Sequence, residues 1–413
     1  MAKDFEKIPK KHVNYYRNRR FIKYYYKHSI VKRTKMSYYF DNCATSRADD
    51  DVIAILDKYQ RETYYNPSAR SSFSLAVARE LKSARESIAK TMGVTADEIY
   101  FTSGGTESDN IAIFGSGKSK SGNVVVTASE HSAVYNAVMK LGDRGYEVRL
   151  ANVTCDGHID VDDFVSKVDD NTVLACFMHV NNETGAINDV KNINRLVKAV
   201  NPRTLTLSDG VQAVGKIPVN LRSLGVDFYS MSGHKIHGSK GTGFLYVKRG
   251  TKCTPILFGG GQENGMRSGT EYVGGQIALA TALTKAVSLI DENATHYIEY
   301  KQIILDKLAS VPGWQVNCTE NCSPAILSLA FADIKGEVLL HMLEAYDVIV
   351  GTGSACSSKN KQSRIAKAIG LDMRYVEGII RISFSKYNDK QQVEHLADSL
   401  AKCVLDLRKT MHV

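Results

Sequence analysis

Two short motifs place a lysine and a cysteine in settings that favour covalent chemistry. Lys235 ends the sequence Ser232-Gly233-His234-Lys235, and Cys356 lies about 120 residues later in Ser354-Ala355-Cys356-Ser357-Ser358. A lysine holds a carbonyl cofactor when its amine is partly desolvated beside a phosphate anchor, and the serine and histidine of the first motif are such anchors. The thiol adds a nucleophile for sulfur. Together the two motifs predict pyridoxal phosphate chemistry on a sulfur substrate.

A phosphate cradle is predicted where a strand turns into a helix. The short apolar strand that ends at Phe101 is followed by a turn at Gly104-Gly105, and a helical segment opens near Thr106. A helix N-terminus presents free backbone N–H groups and the positive end of its dipole to an anion. We therefore expect Gly105 and Thr106 to bind the phosphate. A P-loop is not predicted, because Ser239-Lys240 stands where that motif has Lys followed by Ser or Thr.

Polar side chains follow three further predicted strands. His131 comes after Val124-Val125-Val126, Asn182 follows the apolar run 174–180, and Asp209 ends a strand that begins near residue 205. Open α/β sheets bind ligands at the carboxyl ends of their strands. A flat imidazole there can stack on a pyridine ring and exchange protons near neutral pH. A carboxylate against the ring nitrogen keeps that nitrogen protonated, and Gln212 can bond the ring hydroxyl.

Seven segments in a fixed order carry a resemblance to a known family. They are Thr102-Ser103-Gly104-Gly105-Thr106-Glu107, Glu130-His131, Asn181-Asn182-Glu183-Thr184-Gly185, Asp209-x-x-Gln212, Ser232-Gly233-His234-Lys235, Arg267-Ser268-Gly269-Thr270-Glu271 and Gly353-Ser354-Ala355-Cys356-Ser357-Ser358. From about Tyr39 to Leu400, the chain resembles the cysteine desulfurases of the class V aminotransferase family, in the group with a long catalytic-cysteine loop.

The resemblance implies a role for each matching residue. Lys235 forms the Schiff base with pyridoxal phosphate, His131 stacks on the cofactor ring, and Cys356 forms a persulfide. Arg381 clamps the substrate carboxylate, a bidentate task that suits a guanidinium, and Asn182 lies beside cofactor and substrate. The other implied cofactor contacts are Asp209 with the ring nitrogen, Gln212 with the ring hydroxyl, Gly105, Thr106, Ser232 and His234 with the phosphate, and Thr270 with the phosphate of the other subunit of a homodimer.

The resemblance also implies the fold and the reaction. The expected fold is α/β, that of the fold-type I PLP-dependent transferases, with a mostly parallel sheet in a large domain and a smaller α+β domain. The implied reaction converts L-cysteine to L-alanine, with Lys235 as the base and His131 moving protons at the substrate thiol. Sulfur passes to Cys356 and then to an acceptor or scaffold protein for iron-sulfur cluster assembly or tRNA thiolation. Lys359 and Lys361 are expected to lower the pKa of the Cys356 thiol modestly.

Three rival functions stay open. A selenocysteine lyase would use the same residues, so only a comparison of substrates separates it from a cysteine desulfurase. A class V transaminase or a kynureninase-like hydrolase would need no cysteine at position 356. A non-enzymatic nucleic-acid-binding protein would leave the whole set of cofactor residues unexplained.

Some positions depart from the family pattern. Cys43 stands where relatives usually have alanine, in a segment near the substrate, which raises the question of a second reactive thiol. The other departures are Leu207 for a frequent histidine, Ser239 for proline, Asn264 for arginine and Tyr272 for asparagine. None of them removes a predicted cofactor residue.

Length and composition predict a protein with two cores. The chain has 413 residues with 43% hydrophobic content, and strands alternate with helices between residues 50 and 270. This alternation indicates a mostly parallel sheet covered by helices. The expected organisation is a basic arm at 1–36, an N-terminal segment at 37–50 that packs with the small domain, a large PLP-binding domain at 51–275, and a small C-terminal domain at 276–413 with the catalytic-cysteine loop.

The cysteines and the apolar runs bear on location and partners. The eight cysteines are scattered without disulfide spacing, which indicates a reducing cytoplasm. Cys318 and Cys322 make half of a metal-ligand pattern, but no second pair has matching spacing, so we predict no metal. No stretch approaches the roughly 20 apolar residues that cross a membrane, so we expect no membrane partner.

The first 36 residues form a basic arm. They hold twelve Lys or Arg and two Asp or Glu, a net charge of +10, so residues 37–413 carry about −1. With the paired tyrosines Tyr15-Tyr16 and Tyr24-Tyr25-Tyr26, such an arm can bind nucleic acid by phosphate contact and base stacking. It lacks the character of a transit or signal peptide. The alternatives are that Met36 is the true start or that the arm is a solvated tail.

Overall fold

The computed structural model describes residues 37–116, 122–353 and 364–411. Its strands are β1 (Tyr38–Phe40), β2 (Ile99–Thr102), β3 (Asn123–Thr127), β4 (Glu147–Ala151), β5 (Thr172–Cys176), β6 (Leu205–Asp209), β7 (Phe228–Ser232), β8 (Gly243–Val247), β9 (Trp314–Val316), β10 (Ile326–Phe331), β11 (Val348–Thr352) and β12 (Ile379–Ser383). Its helices are α1 (Asp50–Arg61), α2 (Ser72–Met92), α3 (Gly105–Ser116), α4 (Ser132–Gly142), α5 (Val161–Ser166), α6 (Val190–Val200), α7 (Leu221–Leu224), α8 (Val273–Ser288), α9 (Ile290–Leu308), α10 (Gly336–Glu344), α11 (Arg364–Ala368), α12 (Met373–Val376) and α13 (Lys390–Met411). Short 3-10 turns occupy Ala96–Glu98, Gly233–Lys235 and Glu263–Gly265.

Seven strands form one sheet in the order β2-β8-β7-β6-β5-β3-β4. The pairs between β7 and β4 are all parallel, whereas β8 is antiparallel to both β2 and β7. The predicted mostly parallel sheet is therefore confirmed. Every residue of β7 and β8 is buried, because a sheet with elements packed on both faces leaves neither face to water.

Strand β5 ends at Cys176, four residues before the predicted end of its apolar run at Val180. Beyond this point the backbone N–H of Met178 donates to Oε1 of Glu130 at 2.8 Å, rather than to a neighbouring strand. The Glu130 side chain thus takes the place of a strand partner on one edge, while Phe177 and His179 still donate to Leu207 and Asp209 of β6 on the other edge. The run still leads directly to Asn182, as predicted.

Five strands form a second sheet in the order β1-β11-β12-β10-β9. Strand β1 pairs in parallel with β11, placing Tyr38 opposite Val348, while the other pairs are antiparallel. Helices α9, α10 and α13 contribute the buried side chains of the accompanying core. The N-terminal strand is thus part of a sheet built otherwise from the C-terminal third of the chain.

Two helices divide their packing between the cores. Leu283 of α8 belongs to the core of the large sheet, whereas Ile304 of α9 belongs to that of the second sheet, and the two helices are bent by 63°. Residues 38–413 group as one compact unit, so the predicted domain boundaries stay a prediction.

Among the described residues no single helix is long and apolar enough to cross a membrane; α8 and α9 meet that test only as a bent pair.

Candidate active site

A cavity of about 470 Å³ lies where strands of the large sheet end. It collects almost all of the predicted site residues: Gly105, Thr106, His131, Asn182, Asp209, Gln212, Ser232, His234, Lys235 and Arg381. Three of them follow directly from the strand pattern, since Asp209 ends β6, Ser232 ends β7 and the Lys235 turn comes next. The carboxyl ends of parallel strands meet at one edge, which explains the convergence.

The start of α3 is suited to an anion. Its first backbone N–H groups have no acceptor within the helix. A Cβ on Gly105 would lie 2.6 Å from Cγ2 of Val211, so only glycine allows the helix to begin this close to the chain after Asp209. The Ser232 hydroxyl lies beside the same turn, 3.2 Å from the Cβ position of Gly104.

His234 completes the group of possible phosphate contacts. Its Nδ1 lies 3.1 Å from the hydroxyl of Thr45, and burial lowers its pKa to about 4, so the ring is neutral near pH 7. The neutral imidazole of His234, the hydroxyl groups of Thr106 and Ser232 and the N-terminus of α3 are donors that fit a phosphate group.

Two other side chains in the cavity, those of Asp209 and Asn182, suit an aromatic ring that contains a nitrogen atom. Asp209 is buried, and one of its oxygens accepts from the backbone of Val211 at 2.9 Å. Burial raises its pKa, so the carboxylate would be stabilised by a cationic partner. Oδ1 of Asn182 is buried without a partner among the described residues. The residues present therefore fit pyridoxal phosphate, with its phosphate at α3 and its ring nitrogen at Asp209.

The amide of Gln212 is held in one orientation. Its Nε2 donates to the carbonyl oxygen of Cys43 at 3.1 Å, and its Oε1 accepts from the ammonium group of Lys216. The second N–H of the amide is left for another acceptor, as expected for a contact with the ring hydroxyl.

Lys235 lies in the cavity with its amine on backbone carbonyls. Its Nζ donates to the carbonyl oxygen of Ala44 at 2.9 Å and also to that of Cys43. Burial lowers its pKa to about 8, and the charges of Lys216 and Arg381 act in the same direction. A substantial fraction of the amine is therefore neutral near pH 8, which is the form that attacks a carbonyl or removes a proton.

His131 stands at the N-terminus of α4. Its Nδ1 accepts from the backbone N–H of Ala133 at 3.2 Å, which leaves the proton of the neutral ring on Nε2. Burial lowers its pKa, although the charge of Asp209 opposes this shift. His131 therefore offers a neutral ring with an Nε2–H group at the cavity.

Arg381 is buried in β12 and held by two partners. It donates to the carbonyl oxygen of Asn182 at 2.9 Å and to Oδ1 of Asp41 at 2.6 Å. Its Nε has no partner among the described residues. A guanidinium fixed in this way can receive a carboxylate in the cavity.

Two further buried carboxyl groups line the cavity and were not singled out from the sequence. Burial, followed by the charge of Asp209, raises the pKa of Asp109 well above its usual range. Burial raises the pKa of Glu130 to about 7, although Thr127 donates to it. Glu130 belongs to the quoted motif Glu130-His131 and Asp109 lies two residues after the motif that ends at Glu107, but only the fold shows that both are buried near Asp209.

Three further residues singled out from the sequence are Thr270, Cys43 and Cys356. Thr270 is exposed and does not line the cavity of its own chain. Cys43 lines the cavity, and it is buried against Val180, Ala213 and Ile326. Cys356 lies outside the described residues, as do Lys359 and Lys361.

Comparisons with known proteins identify the family of this chain. The profile of the class V aminotransferases matches residues 38–396. A protein named cysteine desulfurase from Nostoc sp. (strain PCC 7120 / SAG 25.82 / UTEX 2576) is 35% identical over 376 residues, covering 90% of this chain and 93% of that protein. The structure of a NifS-like protein matches with a TM-score of 0.85 and 34% identity, covering 90% of this chain and 100% of that one. The structure of SspA in complex with cysteine matches with a TM-score of 0.75 and 27% identity, over 85% and 99% of the two chains.

Proposed function

The chain belongs to the class V aminotransferase family, and from this premise we propose that it is a PLP-dependent cysteine desulfurase. It converts L-cysteine to L-alanine and takes the sulfur as a persulfide on Cys356. The observation that carries this proposal is the placement of Lys235, Asp209 and Arg381 around one cavity with an anion-binding helix N-terminus. The relative from Nostoc sp. carries the same activity in its name.

The cofactor would be held by the chain's own groups. The phosphate would lie at Gly105 and Thr106, with Ser232 and His234, and the ring between His131 and Asp209. When bound, pyridoxal phosphate supplies a carbonyl that takes up the substrate amine and a ring that stabilises negative charge at the substrate α-carbon.

Three residues act on the amino acid part of the substrate. Arg381 binds the carboxylate of L-cysteine and fixes its orientation. Lys235, as the neutral amine, takes the proton from the α-carbon on Nζ. Asp209 holds the proton on the ring nitrogen by its negative charge.

Cys356 acts on the substrate sulfur. Its thiolate attacks that sulfur, a new S–S bond forms, and the bond from sulfur to the β-carbon breaks with its electron pair going to carbon, which is then protonated to give alanine. His131 can move the thiol proton through Nε2. Support comes from Thr352 and Arg364, which line the cavity on either side of the segment with Cys356.

Several finer features belong to the same proposal. We place the enzyme in the cytoplasm, as a homodimer in which the exposed Thr270 reaches the phosphate in the partner's cavity. The persulfide sulfur goes to an acceptor or scaffold protein, for iron-sulfur cluster assembly or tRNA thiolation. Any contact with nucleic acid is assigned to residues 1–36, which lie outside the described residues.

Selenocysteine lyase is the second candidate, because it would use the same cavity. The thiol at Cys356 favours cysteine, since elimination of selenium is easier and depends less on a protein thiol. Parallel turnover of L-cysteine and L-selenocysteine by wild type and Cys356→Ser separates the two: loss of the cysteine reaction alone supports the desulfurase.

The proposed function is tested with L-cysteine by measuring alanine and the mass of the protein. Wild type should form alanine and carry an extra sulfur on Cys356. Cys356→Ser should keep its cofactor but lose both products, because a hydroxyl is far less nucleophilic toward sulfur than a thiolate. Cys43→Ala is the matched control and should be nearly silent. Normal turnover by Cys356→Ser would refute the proposal, and loss confined to Cys43→Ala would move the sulfur chemistry to Cys43.

A further inference from the structure

A pair of thiols lies outside the cavity, in the loop between β9 and β10. Cys318 is 3% exposed, and Cys322 is half-buried. Both are free thiols. The Cys318 thiol donates to the carbonyl oxygen of Glu320 at 3.5 Å, and each of the two thiols shifts the pKa of the other. The two side chains therefore interact within one short loop.

A half-buried lysine faces this pair. Nζ of Lys301, in α9, lies 3.9 Å from Sγ of Cys322 and donates to the carbonyl oxygen of Ser323 at 2.6 Å. Burial lowers the pKa of Lys301, and a negative charge on Cys322 is what offsets the cost of its own charge there. No carboxylate is paired with Lys301 among the described residues, so the thiolate is its anionic partner.

The two thiols have unequal proton affinities. The hydrogen bond from Cys318 and the charge of Lys301 lower the pKa of Cys322 to about 6, against the effect of burial. The hydrogen bond to Cys322 and burial raise the pKa of Cys318. At neutral pH Cys322 is a thiolate and Cys318 keeps its proton.

The loop holds this arrangement rigidly. The backbone of Asn321 has a φ of 44°, and its carbonyl oxygen accepts from Ile187 at 2.9 Å. The Asn321 side chain donates back to the carbonyl oxygen of Ile187 at 2.9 Å, and Nε2 of His158 lies 3.2 Å from the Asn321 carbonyl oxygen. The backbone between the two cysteines is therefore anchored at Asn321 to Ile187 and His158.

Two thiols alone do not make a metal site. A metal site needs further ligands, and no group of three or more His, Cys, Asp or Glu side chains suited to a metal occurs in the described part of the chain. A thiolate and a proton-bearing thiol in one short loop, with a lysine 3.9 Å from the thiolate, are the arrangement of a nucleophilic and a resolving cysteine.

We propose that Cys318 and Cys322 form a thiol–disulfide exchange site whose substrates are the disulfides of small thiols. The Cys322 thiolate attacks one sulfur of the disulfide, and one small thiolate leaves. Cys318 then gives up its proton to solvent and attacks the Cys322 sulfur, and the second small thiolate leaves. An S–S bond forms between Cys318 and Cys322, and the two electrons of the dithiol reduce the small disulfide to two thiols. This site is independent of the proposed desulfurase activity.

The test uses the full-length, PLP-loaded enzyme with oxidised glutathione in one arm and L-cystine in the other. After acid quenching, peptide mass mapping follows each cysteine separately. Cys318 and Cys322 of wild type should lose their thiols together, with the loss of two hydrogens from their peptide. If the Cys318–Cys322 disulfide forms in only one arm, that arm contains the preferred small disulfide. If it forms in neither arm, the proposal is overturned.

Variants identify the attacking sulfur. Cys318→Ser should accumulate a mixed disulfide on Cys322, because the resolving thiol is missing, whereas Cys322→Ser should form none on Cys318. Cys155→Ser, which removes an exposed thiol, is the matched control and should behave as wild type. A Cys318→Ser protein that stays unmodified at Cys322 while Cys155 reacts contradicts the assignment.

Alkylation of the wild type gives a second readout that needs no variant to fold. Reaction of Cys322 with iodoacetamide should have its pH midpoint near 6, since the thiolate is the reacting form. Lys301→Met should slow this reaction at pH 7 by roughly tenfold, because the nearby positive charge is lost. A midpoint at the ordinary value of a thiol, about 8.5, would overturn the proposal.

Discussion

Arg381 donates through Nη2 to Oδ1 of Asp41 at 2.6 Å, although 340 residues separate the two in the chain. Asp41 directly follows β1, and Arg381 lies in β12 of the same sheet. A Cβ on Gly351 would lie 2.5 Å from Oδ1 of Asp41 and 2.8 Å from Nη2 of Arg381, so glycine leaves room for the pair. The ion pair thus holds the guanidinium at the cavity before substrate binds.

We predict that Arg381→Lys raises the KM for L-cysteine by roughly 10–100-fold with a smaller effect on kcat, because an ammonium cannot form the two parallel hydrogen bonds of a guanidinium. The matched control is Arg374→Lys, which changes an exposed arginine paired with Asp333 at 2.6 Å and should leave both constants unchanged. Steady-state alanine formation measures the effect. An unchanged KM in Arg381→Lys would show that the substrate carboxylate binds elsewhere.

Attachment of the cofactor should depend on pH through Lys235. The pKa of its amine is lowered to about 8, so below that pH the unreactive ammonium form predominates, and above it the neutral amine does. We expect the rate at which apoenzyme captures pyridoxal phosphate in a borohydride-reducible link to rise with pH and level off above about 8. Lys235→Ala should form no such link. A rate still rising steeply at pH 10 would indicate a lysine with an ordinary pKa.

Asp109→Asn should leave kcat for alanine formation nearly unchanged, whereas Asp209→Asn should lower it. Burial, followed by the charge of Asp209, raises the pKa of Asp109 well above its usual range, which favours the neutral form, and an amide of the same shape replaces that form without loss of charge. Asp209→Asn removes the charge that holds the ring proton, and we expect kcat to fall by at least roughly a hundredfold. Alanine formation by both variants, each loaded with cofactor, provides the measurement. Equal losses in the two variants would contradict the assignment of roles.

Gly210→Ala should destabilise the fold beside the site. A Cβ at this position would lie 1.9 Å from Cε1 of Tyr229, a fully buried ring, so the ring or the strand must move. Overpacking of this kind costs about 1–3 kcal/mol, which a lower apparent Tm would report. Gly142→Ala is the control, because its Cβ would meet only the flexible Val148 side chain at 3.3 Å. A Tm equal to that of the wild type would show that Tyr229 yields without cost.

Much of the large sheet and the cofactor side of the cavity could be predicted from the sequence. Apolar runs such as Phe228–Ser232 determine where strands lie, and the polar residue after each run marks the sheet edge where ligands bind. For this reason Asp209 and Lys235 were predicted at the site and line the cavity.

Contacts between distant segments could not be predicted from the pattern of apolar runs. Nothing in the spacing of Asp41 and Arg381 links them, because β1 joins a sheet whose other strands come from the far end of the chain. The early end of β5 was missed because it depends on Glu130, a side chain from another strand–helix connection. The role of Lys216 at Gln212 was missed for a different reason: the two are four residues apart, but nothing in the local pattern shows that the lysine is buried.

The pairing of β1 with β11 also sets the order in which the enzyme can mature. A chain leaves the ribosome from its N-terminus, and the partner strand of Tyr38–Phe40 is made about 300 residues later. Until then β1 has no sheet to join, and Asp41 just after it has no Arg381 to pair with. The Arg381 side of the cavity is therefore assembled only when synthesis is nearly complete, well after the residues around Lys235 have been made.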